Sequence, residues 1–427
     1  MLFLCNEKTN IKKKLSRPRG TRDILFSQAF LFFQIQKKIT QVLEKNNYYP
    51  VIFPTLEYEH LFRSNLENSE VGKEMYTFPD KKGRILALRP EGTLSVARVC
   101  YQNGLLTEGA VHKFYYWANM FRYERPQKDR YREFWQLGVE LLGVKGIQAD
   151  LEILQLIKEI FLCVEIRDIT FRLNYLGSKE IQKKYQEKLV IFLDQKKILL
   201  CFNCQERYQK GNLLRILDCI ICRKKCEFPS YNIIWTPEIV SYVDSLNSFL
   251  KLLQIPFVYD YWLVRGLDYY TGLVFEVYLN EEDKSVLGGG RYDELYKCLG
   301  GKSFASVGFA LGIDRLINFL SSKKELALKR RLDVFFLNYY ELAYGEVILW
   351  KNELISQGLD VDYNLNVIKK KVFLRSSIKT RVLFVIQKEI FLEGFVQLKS
   401  DDLGWKKVRK EELVKMTLDI IASRLDN

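Results

Sequence analysis

Phe121-Arg122-Tyr123-Glu124-Arg125-Pro126-Gln127-Lys128-Asp129-Arg130-Tyr131-Arg132-Glu133-Phe134-Trp135-Gln136-Leu137-Gly138-Val139-Glu140 is too polar for a core and too patterned for a linker. Two hydrophobic-flanked segments, one ending at Tyr123 and one starting at Phe134, bracket a charged loop that contains Pro126. The pattern predicts two antiparallel strands joined by a tip dense in guanidinium groups. Arg122, Arg125, Arg130 and Arg132 fall within eleven residues, and the planar guanidinium fork suits phosphate. The alternative for such a loop is a solvated, salt-bridged hairpin. Gln136 and Glu140 weigh against it. Their even spacing puts both side chains on one sheet face, where polar groups are costly unless a ligand pairs them.

The run Phe-Arg-x-Glu-Arg-Pro-Gln, then Arg-Tyr-Arg-Glu-Phe-x-Gln-Leu-Gly-x-Glu, resembles motif 2 of the class II aminoacyl-tRNA synthetases in its histidyl form. Leu263-Val264-Arg265-Gly266-Leu267-Asp268-Tyr269-Tyr270-Thr271-Gly272 resembles the histidine-specific signature of the same family almost residue for residue. Arg265 is expected from a strand end, with Gly266 letting the backbone bend beside it. Tyr269 and Tyr270 offer aromatic walls with hydroxyl handles. Gly288-Gly289-Gly290-Arg291-Tyr292-Asp293 is expected to be a flexible turn that delivers Tyr292. Ser306 to Leu316 resembles motif 3: a small-residue strand leaves room for a nucleotide, and the following helix carries Arg315 in its first turn. Asp314 stands where Glu is more usual, a change expected to be tolerated. In the motif 2 loop, Trp135 stands where His is frequent and Asp129 where Gly is frequent.

Upstream, Arg17 to Asp23 resembles the Gly-Thr-x-Asp opening of the family; by itself it is a turn followed by a possible N-cap, Asp23. Residues 24–46 read as a helix, because Ala29, Phe32, Ile35, Ile39 and Val42 recur at spacings of three and four. Tyr48 to Pro54 reads as a strand. Helix, strand and Pro54 resemble motif 1, which implies a homodimer interface; an ordinary core is the alternative. Glu74 to Phe78 and Arg84 to Leu88 read as short strands. Arg89-Pro90-Glu91-Gly92-Thr93 is a tight turn. Glu91 or Thr93 either caps the helix that follows or holds an ammonium group. The resemblance selects the second, the α-amino group of histidine.

Helical spacing recurs over 148–165, and Phe171 to Asn174 reads as a strand. Residues 178–250 read as a mostly helical insertion. Within it, Lys196 to Cys226 holds eight Lys or Arg against Glu206 and Asp218, a net of +6. That segment suits a phosphate backbone or a solvated surface, and the resemblance places it near the tRNA acceptor arm. Cys201-x-x-Cys204 and Cys219-x-x-Cys222, with Cys226 beyond, have the spacing of a tetrahedral zinc site; buried free thiols are the equal alternative. Lys323 to Arg331 is a charged hinge. Residues 332–427 alternate strand and helix, with strands at 333–337, 381–386 and 395–398, a helix near 343–357 and a closing helix from Glu411. This small α/β domain lies where the family carries its anticodon-binding domain. The usual Gly-rich turn is absent there and Gln387-Lys388 stands instead.

A chain of 427 residues with 48% hydrophobic residues suits two or three domains. The net charge of +14 suits a polyanionic partner or anionic substrate. Nine cysteines without a secretory signal argue against a disulfide framework, and no apolar run approaches membrane-spanning length. A soluble cytoplasmic protein is expected. The presence of only His60 and His112 argues against His-based nucleophilic catalysis. The expected fold is α/β (α+β): a class II synthetase-like antiparallel sheet flanked by helices. Residues 1–16 form a basic arm, 17–177 and 251–322 the catalytic core, 178–250 the insertion, and 332–427 the C-terminal domain.

The resemblance implies that L-histidine and ATP give histidyl-adenylate, which is transferred to tRNA(His), with Mg²⁺ bridging the outer phosphates. Arg122 and Arg265 would serve catalysis at the α-phosphate. Glu91, Thr93, Gln136, Glu140, Tyr269, Tyr270 and Tyr292 would bind histidine. Arg122, Glu124, Phe134 and Arg315 would bind ATP, and Gln127 and Arg132 would touch the acceptor stem. The competing reading is a non-catalytic paralogue that senses histidine as a regulatory subunit.

Overall fold

The computed structural model describes residues 16–66, 69–125, 130–196, 199–267, 269–279, 285–322, 332–365, 380–400 and 403–423. Residues 1–15 of the N-terminal arm, Gln127 and Asp129 of the motif 2 loop, Asp268 and the Lys323 to Arg331 hinge lie outside the described residues. The chain divides into two units, Met1–Ser322 and Lys323–Asn427.

The apolar stripe of residues 24–46 becomes α1 (Phe26–Lys45), which buries Phe32, Ile35, Ile39 and Leu43. Leu25 precedes it without a side-chain capping bond. Asp23 is therefore not the cap; it meets Arg17 at 3.5 Å on the exposed surface. The strand expected over Tyr48 to Pro54 shortens to β1 (Tyr49–Pro50), since proline carries no N–H to continue a ladder. β2 (Leu56–Tyr58), β3 (Thr77–Pro79) and β4 (Ile85–Leu88) make a small sheet of order β2-β4-β3. Short helices α2 (Glu59–Leu66) and α3 (Glu70–Lys73) lie between β2 and β3. The strand expected from Glu74 starts only at Thr77, because the Glu74 carbonyl accepts the Tyr123 N–H of the hairpin at 2.6 Å.

After α4 (Thr93–Gln102), β5 (His112–Phe121) and β6 (Glu133–Leu142) form the expected antiparallel hairpin, paired from Phe121↔Glu133 to His112↔Leu142. Trp135 lies on β6, not in the loop. It pairs with Asn119, and its ring packs edge-on against Phe32 of α1 at 5.2 Å. Next come α5 (Ile147–Cys163) and β7 (Ile169–Tyr175). The described part of residues 178–250 is mostly helical, with α6 (Lys179–Lys196), α7 (Phe202–Gln209), α8 (Ile220–Arg223) and α9 (Pro237–Leu252). It leads into β8 (Phe257–Tyr259), β9 (Leu273–Leu279), β10 (Ser285–Arg291), β11 (Ser306–Gly312) and α10 (Ile313–Ser322).

The eight-stranded sheet has the order β1-β5-β6-β11-β10-β9-β7-β8. Its middle is antiparallel and its two ends, β1 with β5 and β7 with β8, are parallel. The long connections preceding β5 and β8 make those parallel pairs feasible. Helices α1 and α5 pack together, and α5 buries Ile153, Leu154, Ile157 and Phe161.

Two local expectations change. The triple glycine is not a turn but the middle of β10, buried between β9 and β11. A Cβ on Gly289 would stand 2.2 Å from the Gly308 carbonyl oxygen, so the glycines serve close packing. Arg265 does not come from a strand end. It sits in the connection from β8 to β9, past the last residue of β8, Tyr259.

The second unit is built on β12 (Leu332–Asn338), α11 (Tyr344–Ser356), β13 (Val361–Tyr363), β14 (Thr380–Ile386), β15 (Phe395–Ser400) and β16 (Gly404–Arg409), in the order β13-β12-β14-β15-β16. Phe336 and Phe384 stack at 5.2 Å in its core, and the closing helix spans Leu413–Ala422. Gln387 precedes a short helix, Lys388–Leu392. β13 and β16 escaped the sequence reading. β13 has three residues, and along β16 only Val408 is buried, as on lysine-protected edges.

Candidate active site

A cavity of about 220 Å³ opens on the sheet face made by β6, β10 and β11. Glu91, Thr93, Arg122, Glu124, Phe134, Gln136, Arg265, Tyr269, Tyr270, Tyr292 and Arg315 all line it. They come from five places along the sequence. Three other expected residues do not line it. Glu140 lies behind its wall, Arg132 lies beside the hairpin, and Gln127 is outside the described residues. Arg132 donates from Nε to the Glu124 carbonyl at 3.3 Å and lies 3.9 Å over the Tyr123 ring.

The cavity is rich in carboxyl and hydroxyl groups. Glu91 accepts the backbone N–H groups of Thr93 and Leu94, at 2.8 and 2.7 Å. It thus caps α4, and the same bonds aim its carboxylate. The Tyr269 hydroxyl donates to Glu91 Oε2 at 3.4 Å. Burial raises the Glu91 pKa despite these bonds and the nearby Arg122 charge. Glu140 is 1% exposed and accepts from the Thr93 hydroxyl at 2.8 Å and from the Tyr292 hydroxyl. Burial pushes its carboxyl up to about 8. Glu140 is therefore occupied by two protein hydroxyls. Each hydroxyl that donates inward keeps lone pairs to accept from a ligand N–H.

Arginines line the same cavity. Arg122 donates from Nε to the Pro90 carbonyl at 2.9 Å, and its guanidinium lies 5.2 Å over the Phe134 ring. Arg265 enters from the β8–β9 connection and pairs with Glu276 on β9. Glu276 in turn accepts the Tyr278 hydroxyl at 2.7 Å. Burial works against the Arg265 charge, but Glu276, with Asp218 further off, holds its pKa above the ordinary value. Its Nε is buried with no hydrogen-bond partner among the described residues. A Cβ on Gly288 would come within 2.2 Å of the Arg265 Cζ, so the glycine makes the space the guanidinium fills. Arg315, in the first turn of α10, donates to the Ser285 carbonyl at 2.6 Å.

Several functional positions were not found from the sequence. Tyr116 lies across Gly138 on the hairpin and donates to Gln136 Oε1 at 3.4 Å. Its ring fills the space where a Cβ on Gly92 or Gly138 would sit. A glycine inside a strand, opposite a tyrosine in the hairpin register, was the signal available. Glu276 carried no signal beyond its strand. Arg22, from the Gly-Thr-x-Asp opening, pairs with Asp314, stacks on Tyr131 at 4.5 Å and reaches Asn318 at 3.3 Å. Asp314 also accepts the Trp135 N–H at 2.6 Å. The aspartate in place of glutamate thus ties the chain start, motif 2 and motif 3 together at the cavity edge.

The model of the family described as Histidyl-tRNA synthetase matches residues 20–316. The chain is 37% identical to a histidine–tRNA ligase of Phytoplasma mali over 86% of this chain and 88% of that one. It is 34% identical to a histidine–tRNA ligase of Aquifex aeolicus over 92% and 98%. Among solved structures it is similar to the apo histidyl-tRNA synthetase of S. aureus, with a TM-score of 0.74 and 28% identity, covering 94% of this chain and 99% of that one. The matched segment holds every cavity-lining residue described above, and the chain belongs to the histidyl-tRNA synthetase family.

Proposed function

We infer that this chain is a histidine–tRNA ligase, an ATP-dependent enzyme that forms histidyl-adenylate and transfers the histidyl group to tRNA(His). The observation that carries the reading is the meeting of Arg122 and Arg265 in one cavity that Glu91, Gln136, Tyr269, Tyr270 and Tyr292 also line.

In the first step the histidine carboxylate attacks the α-phosphorus of ATP. A carboxylate O–P bond forms, the bond to the β-phosphate bridging oxygen breaks, and pyrophosphate leaves. No covalent enzyme intermediate is required, so the protein must align the reactants and absorb negative charge on the transferring group. Arg122 holds the histidine carboxylate and α-phosphate, and Arg265 approaches from the opposite side. Arg315 takes the γ-phosphate. Phe134 stacks on adenine, with Glu124 at its amino group.

Glu91, Thr93, Gln136 and Tyr269 surround the ammonium group. Tyr270 and Tyr292 face the imidazole, with Glu140 acting through the Tyr292 and Thr93 hydroxyls that it orients. An apolar side chain of the same size would leave these buried acceptors unpaired, which gives the site its selectivity.

Mg²⁺ takes oxygen ligands and keeps much of its shell as phosphate and water. Of the carboxylates lining the cavity, Glu91 and Asp314 already accept backbone N–H groups. Glu124 is given to the adenine amino group, so the ion would draw its ligands from phosphate oxygens and water. When bound, the ion would neutralise charge on the outer phosphates.

For the second substrate, Arg132, Gln127 and the basic insertion would receive the acceptor arm. The Lys323–Asn427 unit would serve the anticodon, and residues 178–250 would act as an insertion in the catalytic core. A homodimer through motif 1 is supported by the apolar groups that α1 and its following segment expose, Phe26 at 88% and Ile52 at 96%. No described helix is long and apolar enough to cross a membrane; we place the enzyme in the cytoplasm, with its tRNA.

Amino-acid-dependent ATP–pyrophosphate exchange, run with all twenty amino acids and no tRNA, tests the reading. Exchange with histidine alone is expected. Histidine binding without exchange would transfer the chain to the regulatory-paralogue reading.

A further inference from the structure

Four cysteines of the insertion converge, and no step above uses them. Cys201 immediately precedes α7 and Cys219 immediately precedes α8. Cys204 and Cys222 follow within the same helices. The fourteen residues between the two pairs fold back, so that all four Sγ atoms lie within 4.8 Å of one another. The Cys201 and Cys219 sulfurs are 3.7 Å apart. Four thiolates about 2.3 Å from a tetrahedral ion stand about 3.8 Å from each other, whereas a disulfide needs about 2.0 Å. All four cysteines are unbridged.

The surroundings suit anionic sulfur. The Cys201 N–H points at Cys222 Sγ at 3.3 Å, and Arg207 lies 4.0 Å from Cys204 Sγ. Both donors would compensate the charge of a thiolate shell. Cys226, although buried, is not one of the four.

We propose that Cys201, Cys204, Cys219 and Cys222 bind one structural Zn²⁺. A closed set of four soft thiolates, paired as Cys-x-x-Cys, matches tetrahedral zinc and leaves no open position for a substrate. Binding is not a redox step. Four S–Zn bonds form as four thiol protons are released to solvent.

The ion also braces the catalytic arginine's loop. Arg223, next to Cys222, pairs with Asp260 at 2.6 Å, where the β8–β9 connection begins. Arg215, between the two cysteine pairs, is buried and pairs with Asp218 at 3.1 Å. Its guanidinium stands 3.7 Å from where a Cβ on Gly266 would lie. The zinc-stapled segment thus leans on both Asp260 and the residue after Arg265.

The test is elemental analysis of the untagged full chain, purified without chelator. One zinc per chain is expected. Cys201→Ser and Cys222→Ser should each lose it, and Cys226→Ser and Cys298→Ser should keep it. Replacing the metal with Co²⁺ should produce the visible absorption of a tetrahedral thiolate complex. Should the serine variants fail to fold, zinc content and the Co²⁺ spectrum of the wild-type chain decide. A chain that is metal-free and takes up no added Zn²⁺ would overturn the proposal. So would iron in place of zinc, or zinc retained by folded Cys201→Ser and Cys222→Ser. None of these readings depends on the ligase activity.

Discussion

Arg122 and Arg265 reach the same cavity but are held in opposite ways. Arg122 donates to a neutral carbonyl and lies over an aromatic ring. Arg265 is ion-paired to Glu276 and seated against Gly288 of β10. A guanidinium held by a carbonyl and a ring shares its charge with no direct ion-pair partner among the described residues, although Glu124, Glu74 and Glu91 lie close enough to favour it. One paired to a carboxylate is positioned more firmly, and the partner screens part of its charge. The hairpin arginine is thus the more available anion binder and the Arg265 side the more rigid wall.

The sharpest test of this contrast is Arg265→Ala. Adenylate formation, followed by histidine-dependent pyrophosphate exchange, should fall about 10³-fold, as when a main electrostatic stabiliser is removed. Histidine binding by calorimetry should survive. Unchanged exchange would remove Arg265 from the chemistry.

Gly288→Ala comes next. Its Cβ would occupy the place of the Arg265 guanidinium, so exchange should drop about 10²-fold with little change in melting temperature. Wild-type exchange in this variant would mean that Arg265 is not positioned by β10.

Gln136→Ala should act on the amino acid instead, raising the KM for histidine about tenfold through one lost hydrogen bond and sparing the KM for ATP. An equal loss for both substrates would move Gln136 out of the amino-acid pocket.

The smallest effect is on stability. Burial raises the Glu140 carboxyl from 4.5 to about 8, so within that window the folded chain binds a proton that the unfolded chain has released. Its contribution to stability is present below the lower value and is lost as pH rises through the higher one. Glu140→Gln should flatten that part of the melting-temperature profile of the ligand-free protein. Parallel profiles for the two proteins would show Glu140 to titrate normally.

The same contrast separates what was legible in the sequence from what was not. Arg122 stands in a hairpin whose strands, turn and polar face follow from spacing over twenty residues, and the ladder runs where that spacing puts it. The α1 stripe was readable for the same reason, since side-chain period is a local property; residues 178–250 read as helical for want of a sheet pattern, and the motif 3 step was read from resemblance. The cavity residues were recognisable as separate motifs, with family resemblance supplying their roles.

The partners came only from the tertiary structure. Glu276 is eleven residues from Arg265 in sequence and meets it because the β8–β9 connection folds back over the sheet. Arg22 and Asp314 are 292 residues apart. The triple glycine looked like a turn because glycine's lack of a side chain is permissive in turns and strands alike. What places it in a strand is the bulk of Arg265, Phe275 and the neighbouring backbone, none of it adjacent in sequence. Glu91 had two readings, helix cap or ligand group, and the fold lets one carboxylate cap α4 while lining the cavity. The sequence by itself determined the elements and the chemical inventory, because periodicity and residue type are local. Which groups are buried together, and hence which charges are paired, raised or left open, was decided by long-range packing.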